Sequence, residues 1–298
     1  MKITISGASG LVGTALVERL RAAGHHVTRL VRGEPAAGTA DIRWDPQGGS
    51  LPENSINGAD AVINLSGAGI GDHRWSDDYK RELLDSRVRT TELLATTISA
   101  AERKPTVFLS GSAIGYYGPR GDETLDETAS AGSTFLAGVC VQWEQAASPA
   151  TEAGVRTVMV RTGIVLSADG GALKKQLPLF KVGLGGRFGS GDQWQSWISI
   201  DDEVGALDHL LTSSVSGPVN LTAPNPVTNS EFATTLAHVL KRPAIIPVPS
   251  FGPKLLLGSE LTEALLLTGQ RVMPAKLLAD GYQFQHATLE AALRTLLR

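Results

Sequence analysis

The chain has one cysteine, Cys140. An internal disulfide is impossible, and a cysteine-based zinc site is not expected. One thiol in a chain of this length suits a reducing cytosol. The histidines (His25, His26, His73, His209, His238 and His286) lack a ligand spacing such as H-x-x-x-H, so no metal is expected. Lys and Arg form no dense run and the net charge is -3, which argues against a nucleic-acid or anionic-membrane partner. Long apolar runs are missing as well. Leu255-Leu256-Leu257 is soon interrupted by Gly258, Ser259 and Glu260, too short a stretch to span a bilayer. Residues 2–6 already read as a strand rather than as a cleavable leader.

What is present is enough for a sizeable core. The 298 residues are 42% hydrophobic, which allows one large domain or a large domain with a smaller appendage. The first half alternates short apolar runs with amphipathic ones. Strands are predicted at Ile3–Ser6, His26–Val31, Ala59–Leu65, Thr106–Ser110 and Arg156–Arg161. Helices are predicted at Leu11–Ala23, ended by Gly24, and at Asp77–Ala101 and Phe135–Ala153. This alternation implies parallel strands with crossover helices.

The pattern changes after Leu166. Residues 168–200 are rich in glycine and carry Trp194 and Trp197, which either line a pocket or anchor a loop. Asp201-Asp202 resembles a helix cap before Val204–Leu211. A strand is expected at Val219–Leu221, a helix at Ser230–Leu240 and helical structure over 247–298. The expected division is 1–166 for the nucleotide-binding domain, with part of 200–225 returning to it, and 167–298 for a smaller substrate-side and C-terminal region. The fold class is α/β, a Rossmann-type doubly wound parallel sheet with a smaller C-terminal domain. The long helices at 77–101 and 135–153 offer surfaces for a homodimer.

The strongest local signal is strand–Gly7-Ala8-Ser9-Gly10-Leu11-Val12-Gly13–helix. Gly7 permits a sharp turn after the strand. Gly10 lets backbone approach a pyrophosphate, and Gly13 lets the helix pack close to the sheet. The helix start supplies free N–H groups and the positive dipole end. A site for NAD usually places a carboxylate about 20 residues beyond the glycines to hold the ribose 2′-hydroxyl. Thr28 to Gly33 contain none and offer Arg32, a fork donor suited to a 2′-phosphate, while Ser9 adds a hydroxyl. NADP(H) is therefore the expected cofactor. Leu65, Ser66, Gly67 and Ala68 close the next strand, with residues small enough for a ribose to cross.

In this order, these segments resemble the extended short-chain dehydrogenase/reductase superfamily. Ser110-Gly111-Ser112-Ala113-Ile114-Gly115-Tyr116-Tyr117-Gly118 resembles its serine strand, and Arg161-Thr162-Gly163-Ile164-Val165-Leu166 its later cofactor-lining strand. Trp197-Ile198-Ser199-Ile200-Asp201-Asp202 resembles the entry to its substrate domain. More narrowly, Asn64 to Ala68, Ser86-Arg87, Phe135-Leu136-Ala137 with Trp143-Glu144, and Gln270 to Leu278 followed by Gly281 to Phe284 resemble the epimerase-family proteins of unknown substrate, some labelled SulA-like, with a small C-terminal domain of unknown function.

The resemblance implies Ser110 and Arg161 at the cofactor and Ser112 at the catalytic serine position. It also exposes a departure. The superfamily uses a Tyr-x-x-x-Lys pair for proton transfer, and here Leu136 and Cys140 stand at those two positions. Neither can do that work. Cys140, between Val139 and Val141, reads as a small buried hydrophobe. Tyr116 and Tyr117 are the nearest substitutes. Arg74, Lys80, Arg87 and Arg161 would mark a charged substrate cleft if they converge; Arg74 and Lys80 are otherwise surface charges. Two functions stay open: an NADP(H)-dependent oxidoreductase or epimerase-like enzyme acting on a small polar molecule, by family analogy a sugar nucleotide, or a non-catalytic NADP(H)-binding sensor or scaffold. A cell-division role is a third reading, carried by family labelling alone.

Overall fold

The computed structural model describes residues 1–52, 55–243, 247–249 and 251–298. Of the stretch expected to be helical after 247, Ser250 lies outside the described residues. The first half runs β1 (Lys2–Ser6), α1 (Leu11–Ala22), β2 (His26–Val31), β3 (Ile42–Arg43), β4 (Ala61–Asn64), α2 (Asp77–Ala100), β5 (Val107–Ala113), β6 (Thr124–Leu125), α3 (Phe135–Gln145), α4 (Ser148–Glu152) and β7 (Arg156–Thr162). The second half runs β8 (Ile164–Leu166), α5 (Gly171–Lys181), β9 (Trp194–Gln195), β10 (Trp197–Ser199), α6 (Ile200–Thr212), β11 (Gly217–Leu221), β12 (Val227–Thr228), α7 (Asn229–Leu240), α8 (Phe251–Leu257), α9 (Ser259–Thr262), β13 (Arg271–Val272), α10 (Ala275–Ala279) and α11 (Leu289–Leu296).

Seven parallel strands form the main sheet in the order β11-β7-β5-β4-β1-β2-β3. Chain order reverses between β1 and β4, so a crevice opens there, outside the carboxyl ends of the strands. Both faces are covered. Ile3, Ile5, Val107, Leu109 and Val160 pack with Leu16 and Leu20 of α1 and Leu207 and Leu210 of α6. Val62 and Phe108 pack on the other face with Leu94 and Ile98 of α2 and Ala150 of α4. Central strands buried on both sides explain the nearly unbroken apolar runs. A separate cluster joins Phe180, Trp197, Phe232, Leu236 and Leu293 under the C-terminal half.

Most predicted elements appear, and the differences have local causes. The 135–153 stretch is two helices, because Pro149 sits in the first turn of the second. Ser199, rather than Asp201 or Asp202, caps α6: its hydroxyl accepts from the Asp202 N–H. Asp202 is instead fully buried, accepting from Ser199 Oγ and from the N–H groups of Gln285 and His286. That carboxylate fastens the C-terminal segment to the start of α6. The glycine-rich 168–200 region contains α5, and the 247–298 region contains strand β13 besides its helices. Strand β11 pairs with β7, and α6 packs beside α1, so residues 200–221 are part of the main sheet layer.

Candidate functional site

The glycine-rich turn lies in the crevice between β1 and β4. Gly7 has φ +73°, and a Cβ there would stand 2.5 Å from the Leu65 carbonyl at the end of β4. A Cβ on Gly13 would come within 2.2 Å of Gly7 O. These two glycines are demanded by the fold itself. Gly10 differs: the nearest atom a Cβ would meet is Gly7 O, at 3.4 Å, ordinary contact. The protein's own packing does not require Gly10 to be small, so the space beside it is open to a ligand. Gly10 gives α1 no side-chain cap, and the first turn carries no acidic residue. The free N–H groups and the dipole therefore face outward in an arrangement suited to an anion.

The neighbouring elements complete this edge. Arg32, at the end of β2, is exposed, with no ion-pair partner among the described residues. The 65–68 turn is braced from behind. Ser66 N–H donates to Asn64 Oδ1, Ala68 N–H to Ser86 Oγ, and Arg87 Nη2 donates to Ala68 O at 3.0 Å.

Two residues expected at the cofactor are instead enclosed. Ser110 is 0% and Arg161 2% exposed. The Ser110 hydroxyl sits inside the sheet with no partner among the described residues. The Arg161 guanidinium grips Glu144 through Nε at 2.7 Å and Nη2 at 2.8 Å. It also donates to the Tyr117 hydroxyl and lies 3.5 Å from the centre of the Tyr116 ring. Its side chain braces the strand ends.

The catalytic candidates separate the same way. Ser112 donates to Glu144 Oε1 at 2.6 Å and is nearly buried. Tyr117 is fully buried, its hydroxyl donating to Asn220 Oδ1 at 2.7 Å. Burial raises that hydroxyl above the ordinary tyrosine range, against the opposing pull of Arg161. Ser112 and Tyr117 thus belong to an internal network with Glu144, Arg161 and Asn220. Tyr116 is the one of the three that is half-exposed, and its hydroxyl has no hydrogen-bond partner among the described residues.

The four cations do not converge on a cleft. Arg87 is buried and spent on Leu83 O and Ala68 O. Arg74 donates to the Leu255 and Leu256 carbonyls, and Lys80 pairs with Glu260 at 2.5 Å. Arg74 and Lys80 therefore dock the start of α2 onto the C-terminal segment. Cys140 is buried as expected, its thiol against Ala113 O and pushed up to about 11 by burial.

Beside Leu136 lies a cavity of about 220 Å³. It is walled by Trp75, Gly115, Pro119, Thr134, Phe135 and Leu136, and closed from the C-terminal side by Glu260, Glu263, Ala264, Thr268 and Gln270. Neither Trp194 nor Trp197 contributes. Trp197 is a core residue whose indole donates to Asn225 O, and Trp194 donates to Asp122 under the Arg271 guanidinium. Trp75 was missed in the sequence. Its signal was its place between the cofactor-side turn at 65–68 and helix α2.

A family model described as the NAD dependent epimerase/dehydratase family matches residues 3–222, and a domain of unknown function, DUF1731, matches 248–296. The chain belongs to the NAD-dependent epimerase/dehydratase family. Among its relatives, the epimerase family protein Mb2239 of Mycobacterium bovis is 45% identical over 98% of this chain and 96% of its own length. The human epimerase family protein SDR39U1 is 38% identical over 99% of both chains. A crystal structure of human SDR39U1 (isoform 2) with NADPH superposes with a TM-score of 0.91 at 37% identity, covering 99% of each chain. In this member of the epimerase family, Leu136 lies on the cavity wall and Cys140 is buried behind it.

Proposed function

We infer that this chain is an NADP(H)-dependent oxidoreductase acting on a small molecule held between the sheet's carboxyl edge and the C-terminal segment. The observation that carries the cofactor half is the uncapped start of α1 behind Gly10, a glycine that the protein's own packing leaves unexplained. The relative crystallised with NADPH supports the same choice. Gly7, Ser9, Gly10, Leu11, Val12 and Gly13 would hold the pyrophosphate, Arg32 the 2′-phosphate, and Leu65, Ser66, Gly67 and Ala68 the second ribose. Bound there, the nicotinamide supplies or accepts a hydride.

The chain's own part is then to orient a substrate against that edge. Tyr116, next in the chain to the cavity-lining Gly115, has its ring against the Arg161 guanidinium and a hydroxyl without a partner among the described residues, and is the residue suited to handling a substrate oxygen. Ser112 and Glu144 hold Arg161 in place beneath it.

A non-catalytic NADP(H) sensor is the second reading. It is favoured by Leu136 and Cys140 in place of an acid–base pair and by the engagement of Ser112 with Glu144. A fluorescence titration with NADPH and NADH, repeated on Arg32→Ala, tests the shared core of both. The expected result is NADPH at least about tenfold tighter, or roughly 1.4 kcal/mol, with that preference lost in the variant. Binding of neither nucleotide overturns both. Tyr116→Phe then separates them: the enzyme loses turnover of a substrate found by screening, whereas a sensor has none to lose.

A further inference from the structure

The cavity beside Leu136 is the substrate site only on the oxidoreductase reading above, and its chemistry narrows what that substrate is. Its walls are apolar or aromatic at Trp75, Pro119, Phe135, Leu136 and Ala264. Trp75 and Phe135 meet edge-to-face at 5.3 Å, and the Trp75 indole is already committed to Ile70 O. Together they form one continuous aromatic wall.

Among the described residues no lysine or arginine lines the cavity, but two carboxylates, Glu260 and Glu263, stand at its rim. Lys80, 5.3 Å from the Phe135 ring, is held by Glu260, and Lys254 lies 3.8 Å from Glu263. A diphosphate brought here would find each nearby lysine already paired with a rim carboxylate and no cation left over among the described residues. Desolvating an unpaired charge costs several kcal/mol, so such a group stays in water. The size agrees: about 220 Å³ is below the roughly 300–1,000 Å³ typical of drug-sized ligands. Neutral polar capacity is nonetheless present. The Gln270 side-chain amide has no partner among the described residues, and the Thr134 hydroxyl accepts from Ala137 N–H while its own proton stays free.

We propose that this cavity takes an uncharged, ring-sized apolar molecule with one hydrogen-bonding edge turned toward Gln270 and Thr134, and that it excludes nucleotide-linked sugars. Leu136 fits this assignment. At the position where the superfamily presents a tyrosine hydroxyl, this chain presents hydrocarbon, which rewards an apolar ligand face and leaves a sugar hydroxyl unpaired.

Saturation-transfer NMR on the full chain tests it, with benzamide, cyclohexanone and UDP-glucose as probes, each with and without NADPH. Two variants fill the cavity from different sides, Ala264→Phe and Gly115→Leu. At Gly115 a Cβ makes ordinary contact with Leu136 Cβ at 3.5 Å, and circular dichroism checks that each variant is folded before its binding is read. Both neutral rings are expected to receive saturation, to weaken at least about tenfold in either folded variant, and to be unaffected by excess UDP-glucose. Ring signals that are absent, or that persist in both variants, overturn the proposal, as does UDP-glucose binding that Ala264→Phe removes. If the rings bind as expected while NADPH does not, the cavity assignment stands and the cofactor reading fails.

Discussion

Ser112 Oγ donates to Glu144 Oε1 at 2.6 Å, and the same carboxylate oxygen receives Arg161 Nε at 2.7 Å. The Ser112 hydroxyl is thus one arm of a buried ion-pair network. Removing each member has a different cost. Ser112→Ala takes one donor from a carboxylate that keeps both Arg161 bonds, so about 1 kcal/mol is expected. Glu144→Gln leaves the Arg161 charge buried without a counter-ion, and about 3–5 kcal/mol is expected. Urea denaturation measures both. NADPH affinity of the folded Ser112→Ala protein should match the parent; a large loss would place Ser112 at the cofactor.

Gly10 and Gly13 separate binding from folding. Gly13→Ala drives a Cβ into Gly7 O, and the protein is expected to lose stability outright. Gly10→Ala meets only ordinary contact and should fold with a melting temperature near the parent's. Its methyl group occupies the space left for the pyrophosphate, so NADPH binding should weaken at least about tenfold. A Gly10→Ala protein with unchanged NADPH affinity would remove the phosphates from this turn.

The parallel sheet was legible because buried central strands such as Ala61–Asn64 are apolar up to their last residue and the helices between them are periodic. The cofactor turn was legible because its chemistry is local: seven consecutive residues contain it. The interior network was not, since Glu144, Arg161 and Asn220 are far apart in sequence and meet only through the sheet order. Tyr117 looked as available as Tyr116 because they adjoin in sequence, yet one turn of chain buries the first and leaves the second half-exposed. The Trp75–Leu136 cavity was hidden for the same reason: its far wall comes from Glu260 to Gln270.

Cys140 should be chemically silent in the native protein. Its thiol is 4% exposed and pushed up to about 11 by burial, so little thiolate exists at neutral pH and little reagent reaches it. Iodoacetamide labelling is expected to follow global unfolding, accelerating with urea in step with loss of structure. Rapid labelling in native buffer would show that the helix carrying Cys140 opens locally.

Glu203 gives the protein a pH dependence that runs opposite to ordinary acid denaturation. Its carboxyl is 1% exposed; Oε1 accepts from Thr162 Oγ1 at 2.9 Å, and Oε2 has no partner among the described residues. Burial pushes it up to about 8, from 4.5 for a free glutamate. The folded state therefore holds this proton more tightly than the unfolded chain. Between about pH 4.5 and 8 the native protein is protonated here and the unfolded chain is not. Unfolding releases the proton, and this group's contribution to stability falls as pH rises. It is fully present below the lower value and lost above the upper one. Glu203→Gln keeps a neutral side chain of the same shape at every pH. The variant and parent should melt at similar temperatures at pH 4.5, and the variant should melt higher at pH 9. For a chain this size roughly 2–4 °C of melting temperature corresponds to each kcal/mol, so the gap is readable by calorimetry. Parallel melting curves for the two proteins across that range would mean that Glu203 is ionised in the fold and has a partner for its second oxygen.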